Sequence, residues 1–263
     1  KIEVSENNQW LIHDLPDLPD LTVPAAAGPN GFLRSFLHQL AKRSGAKRGR
    51  AFSEFLALAA ILDAPPSFDE FASMTGCTRQ TRRWLQRIVQ SEHILRMGSD
   101  TRLDWCHSFM RAAAYDAFVT TDNCSDVLEA YRDQLDTTNY ASAMDCGRIA
   151  FALNDFQLAA EDFNHAFEVA CRSSNFEQQR CALLNLSEVL ERISGLASLT
   201  QLVEVYSNLY WSEENAGSRE QATYYAERVL DLLAQVSGTD PDGISPEGHT
   251  RAEMLHHVWH LAK

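Results

Sequence analysis

A mostly α-helical chain carrying one small β-hairpin is what the sequence predicts, and three observations predict it. Between Ser67 and Val119 two short amphipathic segments flank a glycine turn, then comes an alternating stretch around Gly98-Ser99-Asp100, then a further helical segment. Beyond Thr120, apolar residues recur at helical spacing in segments broken only by short runs of Ser, Asn, Asp or Gly. Charge divides along the same lines: residues 34–119 hold thirteen bases against eight acids, a net +5, while residues 120–263 hold nine against twenty-three, a net −14. A basic module beside an acidic stack either docks on that stack or faces a polyanion.

Each element follows from its own residues. Residues 1–33, with one base and five acids, show no clear periodicity apart from Trp10-Leu11-Ile12. Pro16, Pro19, Pro24 and Pro29 hold themselves and their neighbours away from helix, so this stretch reads as an extended connector laid over another surface. From Asn30 the spacing of Phe32, Leu33, Phe36, Leu37 and Leu40 predicts a helix to about Arg43. The basic run Ser44–Arg50 lacks the spacing of a phosphate loop and follows a helix rather than a strand, so it reads as a solvated linker. Phe52–Leu62 is a strongly apolar helix stopped by Pro65-Pro66.

Ser67 caps a helix over Phe68–Thr75 that Gly76 ends, and Thr78 caps Arg79–Ser91, whose inner stripe is Trp84, Leu85, Ile88 and Val89. Ile94–Met97 and Thr101–Trp105 alternate around their turn as a hairpin does. A helix over His107–Val119 follows, with Phe109, Met110, Ala113, Ala114 and Ala117 expected to face inward. Two helices plus a hairpin make a winged helix. The predicted domains are a connector and linking helix over 1–50, a winged-helix domain over 51–121, and a helical array over 122–263.

For that array the expected helices are 125–136, 140–153, 156–173, 176–193, 198–214, 219–236 and 247–263, lying antiparallel because the loops are short. Gly147, Ala159, Phe163 and Ala166 fall on the small and aromatic positions of the 34-residue tetratricopeptide pattern when Tyr140 is its first residue. Gly217, Ala222 and Ala226 echo it more weakly, and an irregular helical bundle is the alternative.

At 263 residues and 45% hydrophobic content the chain can build one large or two ordinary cores. Six cysteines without a Cys-x-x-Cys pair, mostly on apolar helix sides, predict buried thiols in a reducing compartment. No run approaches the roughly 18 apolar residues of a membrane span and no charged-then-apolar leader opens the chain, so the expected location is cytoplasmic, without a membrane partner. A start at Lys1 and an end inside an expected helix read as a piece of something longer.

No enzyme constellation is found: there is no phosphate loop, dinucleotide glycine turn, Gly-x-Ser-x-Gly elbow or His-Glu-x-x-His. Glu253, His256, His257 and His260 form a metal-like group without a closed-site ligand set, and surface histidines explain them better. Arg79, Arg82, Arg83 and Arg87 could contact phosphates as a recognition helix does, or form a solvated face or an intramolecular contact; the acidic remainder weighs against DNA. His107, where hairpin meets helix, either caps its own helix or points outward to a phosphate oxygen.

Leu103-Asp104-Trp105-Cys106-His107-Ser108-Phe109-Met110-Arg111, preceded by Phe68–Gly76, resembles the winged-helix domain of STAND-type signal-transducing NTPases, NACHT-like members included. Gly31–Leu37 with Leu56–Leu62 is similar to the helices that join their ATPase core to that domain, and the helical array is similar to their sensor regions. The resemblance implies that His107 touches the β-phosphate of ADP bound in an adjoining ATPase domain of the parent protein; Cys106 and Ser108 stand where one subfamily has Met and Asp. It implies a non-catalytic segment with no cofactor of its own, whose partners are the ATPase domain and a protein or ligand held by the repeats. The rival expectation is a winged-helix DNA-binding regulator with a protein-interaction array.

Overall fold

The computed structural model describes residues 2–4, 9–12, 21–24, 28–98, 102–119 and 124–239, with side chains from 30 to 236 within those spans. The expected helix 247–263 and its histidine group lie outside the described residues. The chain is mostly helical and divides into two compact units, Lys1–Gln134 and Leu135–Lys263.

The first unit opens with three short strands, β1 (Ile2–Val4), β2 (Gln9–Ile12) and β3 (Leu21–Pro24), paired antiparallel in sequence order with Trp10 opposite Val23. The proline pattern predicts an extended connector here, and its extended segments pair into a sheet. Strands of three or four residues carry too little alternation to register, although Ile2/Val4, Trp10/Ile12 and Leu21/Val23 have the two-residue period. Helix α1 (Gly28–Arg43) follows, and α2 (Ala46–Ile61) begins directly after the turn at Ser44-Gly45. The run expected to be a linker is therefore the first turn of α2. Gly49 is what allows it: a Cβ there would collide with the carbonyl oxygen of Ala41 on α1.

Helix α2 is the hub of this unit. Phe55, Leu56, Ala57, Leu58 and Ala59 are all fully buried, which requires neighbours on every side. Phe55 stacks on Phe68 at 4.8 Å and meets the edge of Phe71 at 5.3 Å, seating α3 (Phe68–Thr75). Phe52 meets Trp84 of α4 (Arg79–Ser91) at 6.4 Å and Phe118 at 6.1 Å. Ser67 and Glu70 form a reciprocal capping box, Gly76 closes α3 in the left-handed conformation, and the Thr78 hydroxyl accepts from the Thr81 N–H. The hairpin pairs β4 (Leu95–Met97) with β5 (Leu103–Trp105), closed by the Gly98 N–H on the Arg102 carbonyl. Then come α5 (Ser108–Ala114), a π-helical turn over Tyr115–Val119, and α6 (Ser125–Arg132), which packs on α2 and α3 within this unit.

The second unit is a succession of helices, each packed on its neighbour in sequence: α7 (Tyr140–Ala152), α8 (Phe156–Arg172), α9 (Phe176–Leu190), α10 (Leu196–Ala216) and α11 (Arg219–Thr239). Asn139, Asp155 and Asn175 each accept the backbone N–H three residues on, starting α7, α8 and α9 in the same way. The helix stops repeat too: Asn154, Ser174 and Gly217 sit at φ 61°, 51° and 77°, and each following N–H folds back onto the last helical turn. Gly217 is thus a turn residue, not the helix-contact position the weaker repeat echo assigned to it. Gly147 does serve such a contact, since a Cβ on it would stand 2.6 Å from two ring carbons of Phe163 on α8. Ala159 and Ala166 are fully buried on the same helix. The Tyr140 hydroxyl donates to the Gln178 carbonyl, so α7 also reaches α9.

Candidate functional site

The junction of hairpin and helix in the first unit is held from two directions. From β5, the Trp105 indole N–H donates to the Ala59 carbonyl at 3.2 Å, and the Cys106 N–H extends the ladder to the Ile94 carbonyl at 3.1 Å. From α5, Arg111 sends its Nε to the Ala60 carbonyl at 2.9 Å and its Nη2 to the Leu62 carbonyl at 2.8 Å, with Ile61 at 3.4 Å. Those carbonyls close α2, where the helix dipole is negative and a guanidinium fork is well matched. Sequence reasoning quoted Arg111 but gave it no task, because its acceptors are backbone atoms about fifty positions away.

Held between these anchors, His107 stands at the N-cap position of α5 with extended backbone, φ −147° and ψ 141°; its side chain is exposed and caps nothing. The self-capping role that the residue order suggests is not taken up. Its imidazole is free to donate to, or accept from, a group outside the unit. Phe109, expected to face inward, is 65% exposed beside it, while Met110 takes the buried position. In the first turn of a short helix only one of two adjacent apolar residues can reach the core.

Helix α4 divides its arginines. Arg79, Arg83 and Arg87 lie four residues apart on an exposed face, whereas Arg82 is half-buried and forms an ion pair with Asp69 of α3. Arg48 of α2 stacks on Trp84, its guanidinium carbon 5.6 Å from the ring centroid. The expected four-arginine face is therefore three arginines, the fourth tying α4 to α3.

The cysteines also divide. Cys124 and Cys146 are buried, Cys77, Cys106 and Cys181 half-buried, and Cys171 exposed, all as free thiols. Burial, reinforced by Glu54, pushes the Cys124 thiol up to about 12. Among the described residues no group of His, Cys, Asp and Glu is arranged to hold a metal ion, and no helix is long and apolar enough to cross a membrane.

In the second unit, Phe176 at the start of α9 is 73% exposed, and Trp211 and Tyr224 are also exposed. The Arg180 guanidinium holds the buried carboxylate of Glu213 at 2.5 Å, joining α9 to α10, and the same pair lies within electrostatic reach of Tyr225 on α11. Comparison of the chain with protein-family models, curated proteins and solved structures found no match.

Proposed function

We propose that the chain is a regulatory and sensing segment of a STAND-like NTPase. In this reading the first unit is a winged helix that relays state to or from an adjoining ATPase domain. The second is a tetratricopeptide-like array that binds a protein partner or ligand, and the segment performs no catalysis itself. The observation that carries the reading is His107: an exposed imidazole with no bond to another described residue, set on a strand-to-helix junction fixed by Trp105 and Arg111. A group held so firmly yet unused internally suits an outside contact, and in the family resembled that contact is an ADP phosphate. The exposed Phe176, Trp211 and Tyr224 support partner binding by the array, since aromatic side chains are enriched at interaction surfaces.

The test uses the parent protein. His107→Ala lowers the ADP retained after desalting and speeds exchange of a fluorescent ADP analogue, without changing the melting of the segment. Unchanged retention and exchange would remove His107 and the relay with it.

The exposed row Arg79, Arg83 and Arg87 favours a second reading, duplex DNA binding. That reading expects retardation of a DNA duplex with a steep salt dependence, and replacing all three by Ala should lower the log–log salt slope by about 3. The regulatory reading expects no retardation.

A further inference from the structure

We propose that the cavity between the first turns of α2, α4 and α6 binds a basic amino acid, a small zwitterion with a second cationic group. The cavity measures about 550 Å³, a size ordinary for small-ligand sites, and lies wholly within the first unit. The inference is independent of the relay reading, for His107 does not line it.

The electrostatics of the lining define the ligand. Glu54 of α2 lines the cavity with its side chain only 9% exposed, and its Oε1 accepts from Arg50 Nε at 2.6 Å. No other described residue donates to this carboxylate, so Oε2 keeps its acceptor capacity. This carboxylate has one protein donor, on a largely exposed side chain, and its second oxygen is open to the cavity, where a second cationic donor can bind. The wall hydroxyls are partly engaged: Thr75 donates to the Phe71 carbonyl, and one of Thr78 and Thr81 donates to the other at 3.1 Å. At the exposed mouth stand Lys47 and Asp126, neither in an ion pair with a described residue.

Besides Arg50, which is engaged with Glu54, three charged groups line the cavity: a buried carboxylate with one oxygen lacking a protein donor, and an ammonium and a carboxylate at the mouth. A ligand complementary to them carries a cationic end for Glu54 and an α-carboxylate and α-ammonium for Lys47 and Asp126. L-Lysine and L-arginine have that arrangement. Arg50 also lines the cavity but is already bonded to Glu54, so a phosphate-bearing ligand would meet Lys47 beside the carboxylates of both Glu54 and Asp126, and those like charges weaken its binding there.

Calorimetric titration of the whole chain with L-lysine and L-arginine tests this, with norleucine, which lacks the side-chain amine, and cadaverine, which lacks the carboxylate, as controls. Saturable binding of at least one basic amino acid is expected, with both controls at least about tenfold weaker, the share of one charge-assisted hydrogen bond. Glu54→Gln should weaken binding by at least about tenfold on the same grounds. Ala130→Trp, at the exposed edge of the cavity, should abolish binding while leaving the melting curve unchanged. If Glu54→Gln unfolds the unit, Ala130→Trp and Asp126→Asn decide. Failure of both amino acids to saturate, equal binding of norleucine, or undiminished binding to the cavity variants would overturn the proposal.

Discussion

Replacing Gly147 by Ala tests the packing of the second unit at one methyl group. The new Cβ would lie 2.6 Å from Cδ1 and Cε1 of Phe163, whereas ordinary contact begins at 3.4 Å, so ring and helix must part by about 0.8 Å. Phe163 is buried against fully buried alanines on its own helix, which leaves the ring little room to turn away. Overpacking of this kind costs about 1–3 kcal/mol, and the better helix propensity of Ala returns up to about 1. With about 1 kcal/mol returned, a net destabilisation of up to about 2 kcal/mol is expected from those opposing effects. It should be read by urea unfolding together with amide hydrogen exchange, in which α7 and α8 lose protection while α2 does not. Phe163→Leu in the same chain should restore part of the loss, giving a coupling energy between the two sites. A Gly147→Ala protein as stable as the parent, with unchanged exchange in α8, would show that no close approach of α7 and α8 depends on the missing side chain.

Arg111→Met should destabilise the first unit by about 2–4 kcal/mol, because it strips charge-assisted donors from the carbonyls of Ala60, Ile61 and Leu62; Arg111→Lys, a single point donor, should rescue only part. Urea unfolding followed by amide hydrogen exchange of α2 and α5 checks it. Ser67→Ala removes one half of the capping box with Glu70 and should cost about 1 kcal/mol, measured by urea unfolding. The Cys124 thiol supplies a pH test. Its folded value is pushed from 9.0 to about 12, so stability is intact below pH 9, then falls as the unfolded chain releases a proton that the folded chain keeps. The loss from this group is about 1.4 kcal/mol at pH 10 and grows toward pH 12. Cys124→Ala should flatten the alkaline stability curve by that amount, and an equally steep curve would contradict the assignment.

The sequence by itself determined nearly all the helices and the hairpin, because those signals are local. Capping residues Ser67, Thr78, Asn139, Asp155 and Asn175 act within three residues of themselves, and the 3.6-residue apolar spacing is read along one strand of text. The pairing of Gly147 with Phe163 was legible for the same reason, through a repeat spacing that places a small residue against an aromatic one. Only the tertiary structure decided what depends on distant neighbours. It extended α2 through a basic run, because Gly49 lets α1 pass close by, and it folded the first residues into a sheet too short to announce itself. It took Arg82 from the basic face to pair with Asp69, turned Phe109 outward, and gave Arg111 its carbonyls on α2. It also gathered Glu54, Lys47 and Asp126 around one cavity from two helices far apart in the chain. Such contacts arise when chain ends of separate helices converge, and no local pattern encodes which ends will meet.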